Sequence, residues 1–161
     1  MNIPPLLNLP PCCDLQIRPD SDSRRAGMEV FDCLRRRWVA LTPEEWVRQN
    51  FVRFLIQYKG FPPALMANEV ALRLNSTSRR ADTMVYTRTL GPLAVVEYKA
   101  PEVPVTQKVF DQIARYNLVL DAPFLIVSNG MRHFCCRYGG GSYEFLPDIP
   151  AYGEMTDYLM K

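Results

Sequence analysis

The clearest periodicity in the chain lies just after Thr42, where Val47, Phe51, Phe54, Leu55 and Tyr58 recur at intervals of three and four. That spacing places them on one stripe of a helix. Thr42-Pro43-Glu44-Glu45 predicts where the helix starts: a capping threonine, a proline whose missing N–H costs nothing in the first turn, and a glutamate three residues after the cap. Gly60-Phe61-Pro62-Pro63 predicts its end after about Lys59. Three strand-like runs follow at residues 69–74, 82–87 and 93–99, with connections short enough to require antiparallel neighbours. The third contains Leu93-Ala94-Val95-Val96, apolar on both alternating faces as in a central strand covered on both sides. A second helix is expected over residues 106–120 from the spacing of Val109, Phe110, Ile113, Ala114 and Leu118. Phe124-Leu125-Ile126-Val127 then predicts a strand, Asn129-Gly130 a two-residue hairpin turn, and residues 131–138 the antiparallel partner. Gly139-Gly140-Gly141 breaks the pattern, and a short helix is expected from Glu154.

The N-terminal part reads differently. Ile3-Pro4-Pro5, Leu9-Pro10-Pro11 and the polar Asp20-Ser21-Asp22-Ser23 make residues 1–28 an arm or loose lead-in. Residues 29–161 are expected to form a single domain with its core at about 41–138, preceded by two short strands flanking Arg35-Arg36-Arg37. With 161 residues, 48% of them hydrophobic, one real core can form. The expected class is α/β, a mixed sheet flanked by helices. The formal charge of +2 means that a nucleic-acid partner has to be met by a local basic patch. No window approaches the ~18 apolar residues of a membrane span, and the N-terminus lacks a secretory layout, so a cytoplasmic protein without a membrane partner is expected. The five cysteines include two adjacent pairs and no CxxC spacing, and His133 near Cys135 and Cys136 does not supply the roughly four ligands a zinc site needs. Thiols buried in a strand are the expected reading.

Charge at the end of the central strand changes this picture. In Val96-Glu97-Tyr98-Lys99 a carboxylate and an ammonium lie two residues apart and point to one face. A strand covered on both sides must place such groups at a cleft, pair them, or use them to bind an ion. A structural ion pair remains a full alternative on these residues alone. Asp82 adds weight, because antiparallel pairing brings the start of its strand opposite Glu97 and Lys99. Two carboxylates suit magnesium, which keeps several waters and is held by one or two carboxylates plus substrate phosphate. Lys99 is then expected to orient or deprotonate the attacking water. Glu45, with Glu44, is a further carboxylate candidate, though it equally fits a capping box with Thr42. Glu69 is a weaker candidate that also fits a solvated strand residue. Gln112 and Tyr116, one turn apart, either reach the same cleft or are ordinary helix surface. Arg48, Arg79, Arg80, Lys108 and Arg115 could supply a basic rim for phosphates, or be merely solvated.

Asp82, then Glu97-x-Lys99, then Gln112-x-x-x-Tyr116 resemble the PD-(D/E)xK nucleases. "LTPEEWVRQNFVRFLI", "SRRAD", "VVEYKAP", "DQIARYN" and "LIVSNG" narrow the resemblance to the N-terminal nuclease domain of the R subunit of type I restriction enzymes, over about residues 41–137. The resemblance implies a restriction-endonuclease-like core and a restriction-modification setting. It implies Asp82, Glu97 and Lys99 as the catalytic set, with magnesium, or manganese in its place, on Asp82 and Glu97. By the same resemblance Glu45 is the helix carboxylate and Gln112, Tyr116 and Arg80 are substrate-binding. DNA is the expected partner, with a homodimer left open. The sequence ends at Lys161 without a GxxxxGK[ST] phosphate loop, so no nucleotide cofactor or motor is expected, and a small stand-alone nuclease is expected rather than a full R subunit. The alternatives are a binding module on a nuclease fold with little turnover, and a structural protein in which Glu97 and Lys99 form an ion pair.

Overall fold

The computed structural model describes residues 4–12, 14–74 and 77–161, apart from the side chains of Leu74 and Tyr116. Its centre is a six-stranded mixed sheet of β4 (Met66–Leu74), β5 (Thr77–Tyr86), β6 (Pro92–Tyr98), β7 (Phe124–Ser128), β8 (His133–Gly139) and β9 (Ser142–Leu146), arranged in that order. All neighbours are antiparallel except β6 and β7. That parallel step is made through helix α2 (Gln107–Leu120), because parallel neighbours need a long crossover. Three further strands, β1 (Ile17–Pro19), β2 (Met28–Asp32) and β3 (Arg37–Ala40), form a separate antiparallel sheet.

Helix α1 (Pro43–Lys59) begins and ends where the sequence places it. The Thr42 hydroxyl accepts the Glu45 N–H at 3.1 Å, and Gly60 closes the helix at φ 69°, a left-handed conformation in which glycine carries no Cβ penalty. Val47, Phe51 and Leu55 are fully buried against the face of the sheet that carries Val85, Ala94, Val96, Tyr98, Phe124 and Ile126. Helix α3 (Tyr152–Leu159) adds Tyr152 and Met155 to that core. On the other face Phe110 and Ile113 of α2 cover Met84, Val95, Leu125 and Val127. The apolar run of β6 is thus explained: Leu93, Ala94 and Val96 enter the α1-side core and Val95 the α2-side core, each buried valine or leucine stabilising by roughly 1.5–3 kcal/mol.

Several expectations need correction. The polar stretch read as a connection at residues 75–80 is largely strand, since β5 already begins at Thr77; Asn75 and Ser76 lie outside the described residues. Residues 78–80 are exposed, so no alternation of polar and apolar positions marks them. The β7–β8 turn is displaced by one residue. Gly130-Met131 forms its tip, only Gly130 has positive φ (83°), and the Asn129 side chain accepts the N–H groups of Met131 and Arg132 at 3.0 and 2.8 Å. Gly140-Gly141, both at positive φ, make a second hairpin into β9 where only a break was expected. The short C-terminal helix begins at Tyr152, and the β2 and β3 strands flank the arginine turn as expected.

The proline-rich N-terminal stretch is fastened down. Leu7 is buried, Asn8 N–H donates to the Gly130 carbonyl at 2.8 Å, and the Trp46 indole donates to the Pro5 carbonyl at 2.9 Å. Tyr58 and Arg53 of α1 donate to the carbonyls of Pro11 and Asp14. The β1–β2 ladder also crosses the boundary drawn at residue 28. Among the described residues no helix is long and apolar enough to cross a membrane.

Candidate active site

Asp82 lies in the middle of β5, where the ladder to β6 stops. Thr83 pairs with Val96, and at the next rung the Asp82 carboxylate replaces a backbone acceptor by taking the Tyr98 N–H at 2.9 Å. This sets Asp82 beside Glu97 on the face that carries Met84 and Val95. The Asp82 carbonyl, freed from the ladder, accepts the Arg48 guanidinium at 2.9 Å. On the opposite neighbour, Glu69 occupies the rung between the Asn68–Thr83 and Val70–Ala81 pairs with φ 57°, unusual for a residue with a side chain. Glu69, Asp82 and Glu97 therefore lie across three adjacent strands.

Glu97 is 8% exposed, and one of its carboxylate oxygens, Oε1, is buried without a hydrogen-bond partner. Burial first, and the Asp82 charge second, push its carboxyl up to about 9; the Asp82 main-chain N–H and the Lys99 ammonium offset this only in part. A cation between the two carboxylates would offset both causes by stabilising the charged form. Lys99 is half-buried two residues on, and its N–H donates to the Ser128 carbonyl at 2.9 Å, which fixes the strand end that carries it. Among the described residues no group of three or more His, Cys, Asp or Glu side chains is arranged to hold a metal, so a site here rests on two carboxylates. That donor set, with an oxygen left unsatisfied in a buried position, fits magnesium better than zinc.

Glu45 is drawn into different company. It is 6% exposed and its carboxylate meets Arg35, Gln49 and Arg48, with Arg48 at 3.1 Å. Only half of a capping box is made, since the carboxylate turns inward. Arg48 in turn donates to Glu69 at 2.6 Å, so one guanidinium ties Glu45, Glu69 and the Asp82 carbonyl together. Burial lowers the Arg48 pKa and its acidic neighbours raise it, with a net rise. Behind it runs a second buried chain. Fully buried Asp32 accepts from the Leu34 and Arg35 N–H groups and from Asn68, the Thr83 hydroxyl donates to Asn68 at 2.6 Å, and the Tyr98 hydroxyl lies 2.9 Å from Thr83. Burial pushes the Asp32 carboxyl up, but these donors and Arg35 hold it below the usual range. Burial also keeps the Tyr98 phenol neutral.

The remaining candidates are spread out. Arg80 is exposed, 3.9 Å from Glu69. Gln112 lies on the exposed side of α2, together with Lys108 and Arg115. Tyr116 belongs to α2, and its side chain lies outside the described residues. Glu44 is exposed. Cys135 and Cys136 are buried in β8, as expected, with thiols pushed up by burial to about 12 and about 11. His133 is occupied by the Ser128 hydroxyl and the Asn8 carbonyl, each at 2.7 Å. A groove of 970 Å³ lined by Pro5, Leu41, Trp46, Pro101 and Glu102 lies past the end of β6 and includes none of the three central residues. Sequence reasoning missed Arg48 as the clamp of the site, because its partners are distant along the chain. It missed Asn68 and Thr83 for the same reason.

A mixed sheet whose central antiparallel strands bring two carboxylates and a lysine to one end, with a helix on each face, is the restriction-endonuclease-like α/β core. Residues 43–150 match the family described as type I restriction enzyme R protein N terminus (HSDR_N), and the chain belongs to that family. Its fold is similar to that of a solved fragment described as an HsdR subunit of a type I restriction enzyme from Vibrio vulnificus YJ016. The two are 22% identical, with a TM-score of 0.57, and the match covers 74% of this chain and 25% of that one. The chain thus spans about a quarter of the length of that relative. No curated protein matches it.

Proposed function

We propose that the protein is a metal-dependent nuclease that hydrolyses phosphodiester bonds of DNA. The observation that carries this reading is the buried, unpartnered Oε1 of Glu97 beside Asp82. A buried carboxyl oxygen left without a hydrogen-bond partner costs about 1–3 kcal/mol, and a bound cation would supply the missing partner. Asp82 and Glu97 would hold magnesium, with manganese able to take its place. Bound there, the ion would supply charge stabilisation for the phosphate and acidify a coordinated water. Lys99 positions the attacking water and offsets phosphate charge, while Arg48 holds the Asp82 backbone in place. Gln112, Tyr116 and Arg80 would lie along the substrate. Glu45 acts through Arg48 in this reading rather than as a ligand.

The test is incubation of the purified protein with supercoiled, linear and single-stranded DNA, and with RNA, in magnesium or manganese. Cleavage of DNA that disappears in Asp82→Ala, Glu97→Gln and Lys99→Ala supports the proposal. Cleavage that survives all three would sink it. Binding of DNA without turnover would favour a binding module on the same fold.

A further inference from the structure

Three oxygen atoms converge on one guanidinium beside the candidate active site. Arg48 places Nη2 2.6 Å from Glu69 Oε1 and 3.1 Å from Glu45 Oε2, while Nη1 donates to the Asp82 carbonyl at 2.9 Å. Its contacts gather at these outer nitrogens. The Nε N–H is buried and has no partner, so the side chain is held by this nest of oxygens rather than by a full set of hydrogen bonds. Arg48 and Glu45 are both buried, which closes the nest from solvent on the side of α1. Two carboxylates and a main-chain carbonyl are hard oxygen donors, the kind of set that magnesium or calcium takes. Here an arginine fills it, and an arginine never gives up its charge in a protein.

Asp82 joins this nest to the candidate cation site, giving its carbonyl to Arg48 while its carboxylate takes the Tyr98 N–H beside Glu97. Sites that use two ions on a phosphodiester hold them about 3.5–4 Å apart on shared ligands. In this chain the second positive centre is already built in. Charge agrees with that reading: the carboxylates of Glu45, Glu69, Asp82 and Glu97 are matched by Arg48, Lys99 and a single divalent ion. Arg35 also touches Glu45, but it is paired with the fully buried Asp32, and Arg80 reaches Glu69 only from solvent, at 3.9 Å. A second dication would find Glu45 enclosed by Arg35, Gln49 and Arg48, Glu69 bound to Arg48, and a fixed like charge beside it.

We propose that the Arg48 guanidinium occupies the place of a second cation, so that the site takes a single divalent ion on Asp82 and Glu97, and Glu45 and Glu69 serve the arginine rather than a metal. This deepens the nuclease reading and rests on it for the first ion. The number of ions is measured without nucleic acid. The full chain is titrated with manganese alone by calorimetry, and electron paramagnetic resonance reports whether bound ions are isolated or spin-coupled. One isolated ion per chain is expected. Glu69→Gln should still bind one, with affinity lowered no more than about tenfold, the low end for a residue outside the ligand shell. Arg48→Ala should bind two, spin-coupled, and Arg48→Ala with Glu69→Gln should return to one. Two ions on the unaltered protein, loss of the ion in Glu69→Gln, or a single ion in folded Arg48→Ala would each overturn the inference. Should Arg48→Ala fail to fold, as circular dichroism in manganese would show, the counts on the unaltered protein and on Glu69→Gln decide it alone. One ion without cleavage of DNA removes the nuclease reading alone, and cleavage by a protein that holds two ions removes this inference alone. No manganese binding by the unaltered protein overturns both.

Discussion

Replacing Glu97 with Gln should make the cation-free protein more stable at neutral pH while abolishing its affinity for manganese. The carboxyl is 8% exposed, with burial and then Asp82 holding it far above the usual 4.5. The folded state therefore keeps a proton that the unfolded chain releases. Stability from this group is greatest below about 4.5, falls as pH rises through the interval, and levels off near 9. At about 1.36 kcal/mol per pH unit, the gap between 4.5 and pH 7 sets a ceiling of roughly 3.4 kcal/mol. The strong interaction of this carboxyl with the Asp82 charge makes about 2 kcal/mol the working figure. Glutamine keeps the shape and cannot ionise. For a domain of this size, about 2–4 °C per kcal/mol gives a rise in Tm of roughly 4–8 °C at pH 7 in EDTA, and almost none at pH 4. Manganese at a hundredfold its Kd should stabilise the unaltered protein by about 2.7 kcal/mol and leave Glu97→Gln nearly unmoved. Thermal unfolding followed by circular dichroism at the two pH values measures both effects. A lower Tm for Glu97→Gln at pH 7 would refute the reasoning, because it would mean that the ionised carboxylate has a structural partner in the fold.

Lys99→Ala should lose cleavage while keeping manganese affinity within a few-fold, measured by gel assay and calorimetry, since in the proposed mechanism the ammonium serves water and phosphate rather than the ion. Arg48→Met should destabilise by about 3–5 kcal/mol in chemical denaturation, the usual result of stripping one partner from a buried charge network that here includes Glu45 and Glu69; a loss below about 1 kcal/mol would show that the network is not coupled. Gly130→Ala should cost more than about 1 kcal/mol of stability, because φ there is 83° and a Cβ would lie 2.6 Å from a methyl carbon of Leu7. Leu7→Ala should recover part of that loss in the double variant.

How far the sequence foretold the structure depended on whether the deciding contacts were local. The ends of α1 were readable because Thr42, Pro43 and Gly60 act on their own turn of backbone. Asp82 could be brought to Glu97 because short connections force antiparallel neighbours, and that argument needs no tertiary knowledge. The outer half of β5 was hidden, since residues 78–80 face water and show no alternation. The β7–β8 turn slipped by one residue because Asn129 is spent on capping Met131 and Arg132 and on donating to the Val103 carbonyl at 2.8 Å, a contact across the fold. Arg48 read as a rim cation because nothing near it in sequence announces Asp82 or Glu69 as partners. Prolines disguised the N-terminal stretch, which is held through its carbonyls and Leu7 rather than by long ladders.

Asp82 is where these strands of argument meet. A regular β5 would have given the Asp82 carbonyl and N–H to the neighbouring strands. Instead its side chain takes over one rung toward Tyr98 and its carbonyl is handed to Arg48. Glu69 accommodates the same break with a positive φ on the neighbouring strand. That local failure of the ladder does two things at once. It opens the sheet beside Glu97, leaving a buried oxygen in want of a partner, and it frees the outer part of β5 to leave β6 and continue paired with β4 alone. An interrupted strand is costly in backbone hydrogen bonds, and Arg48, with Glu45 and Glu69 as counter-charges, offsets that cost from outside the sheet. The proposed cation site thus has its structural origin in the break of the ladder at the end of the chain's most apolar strand.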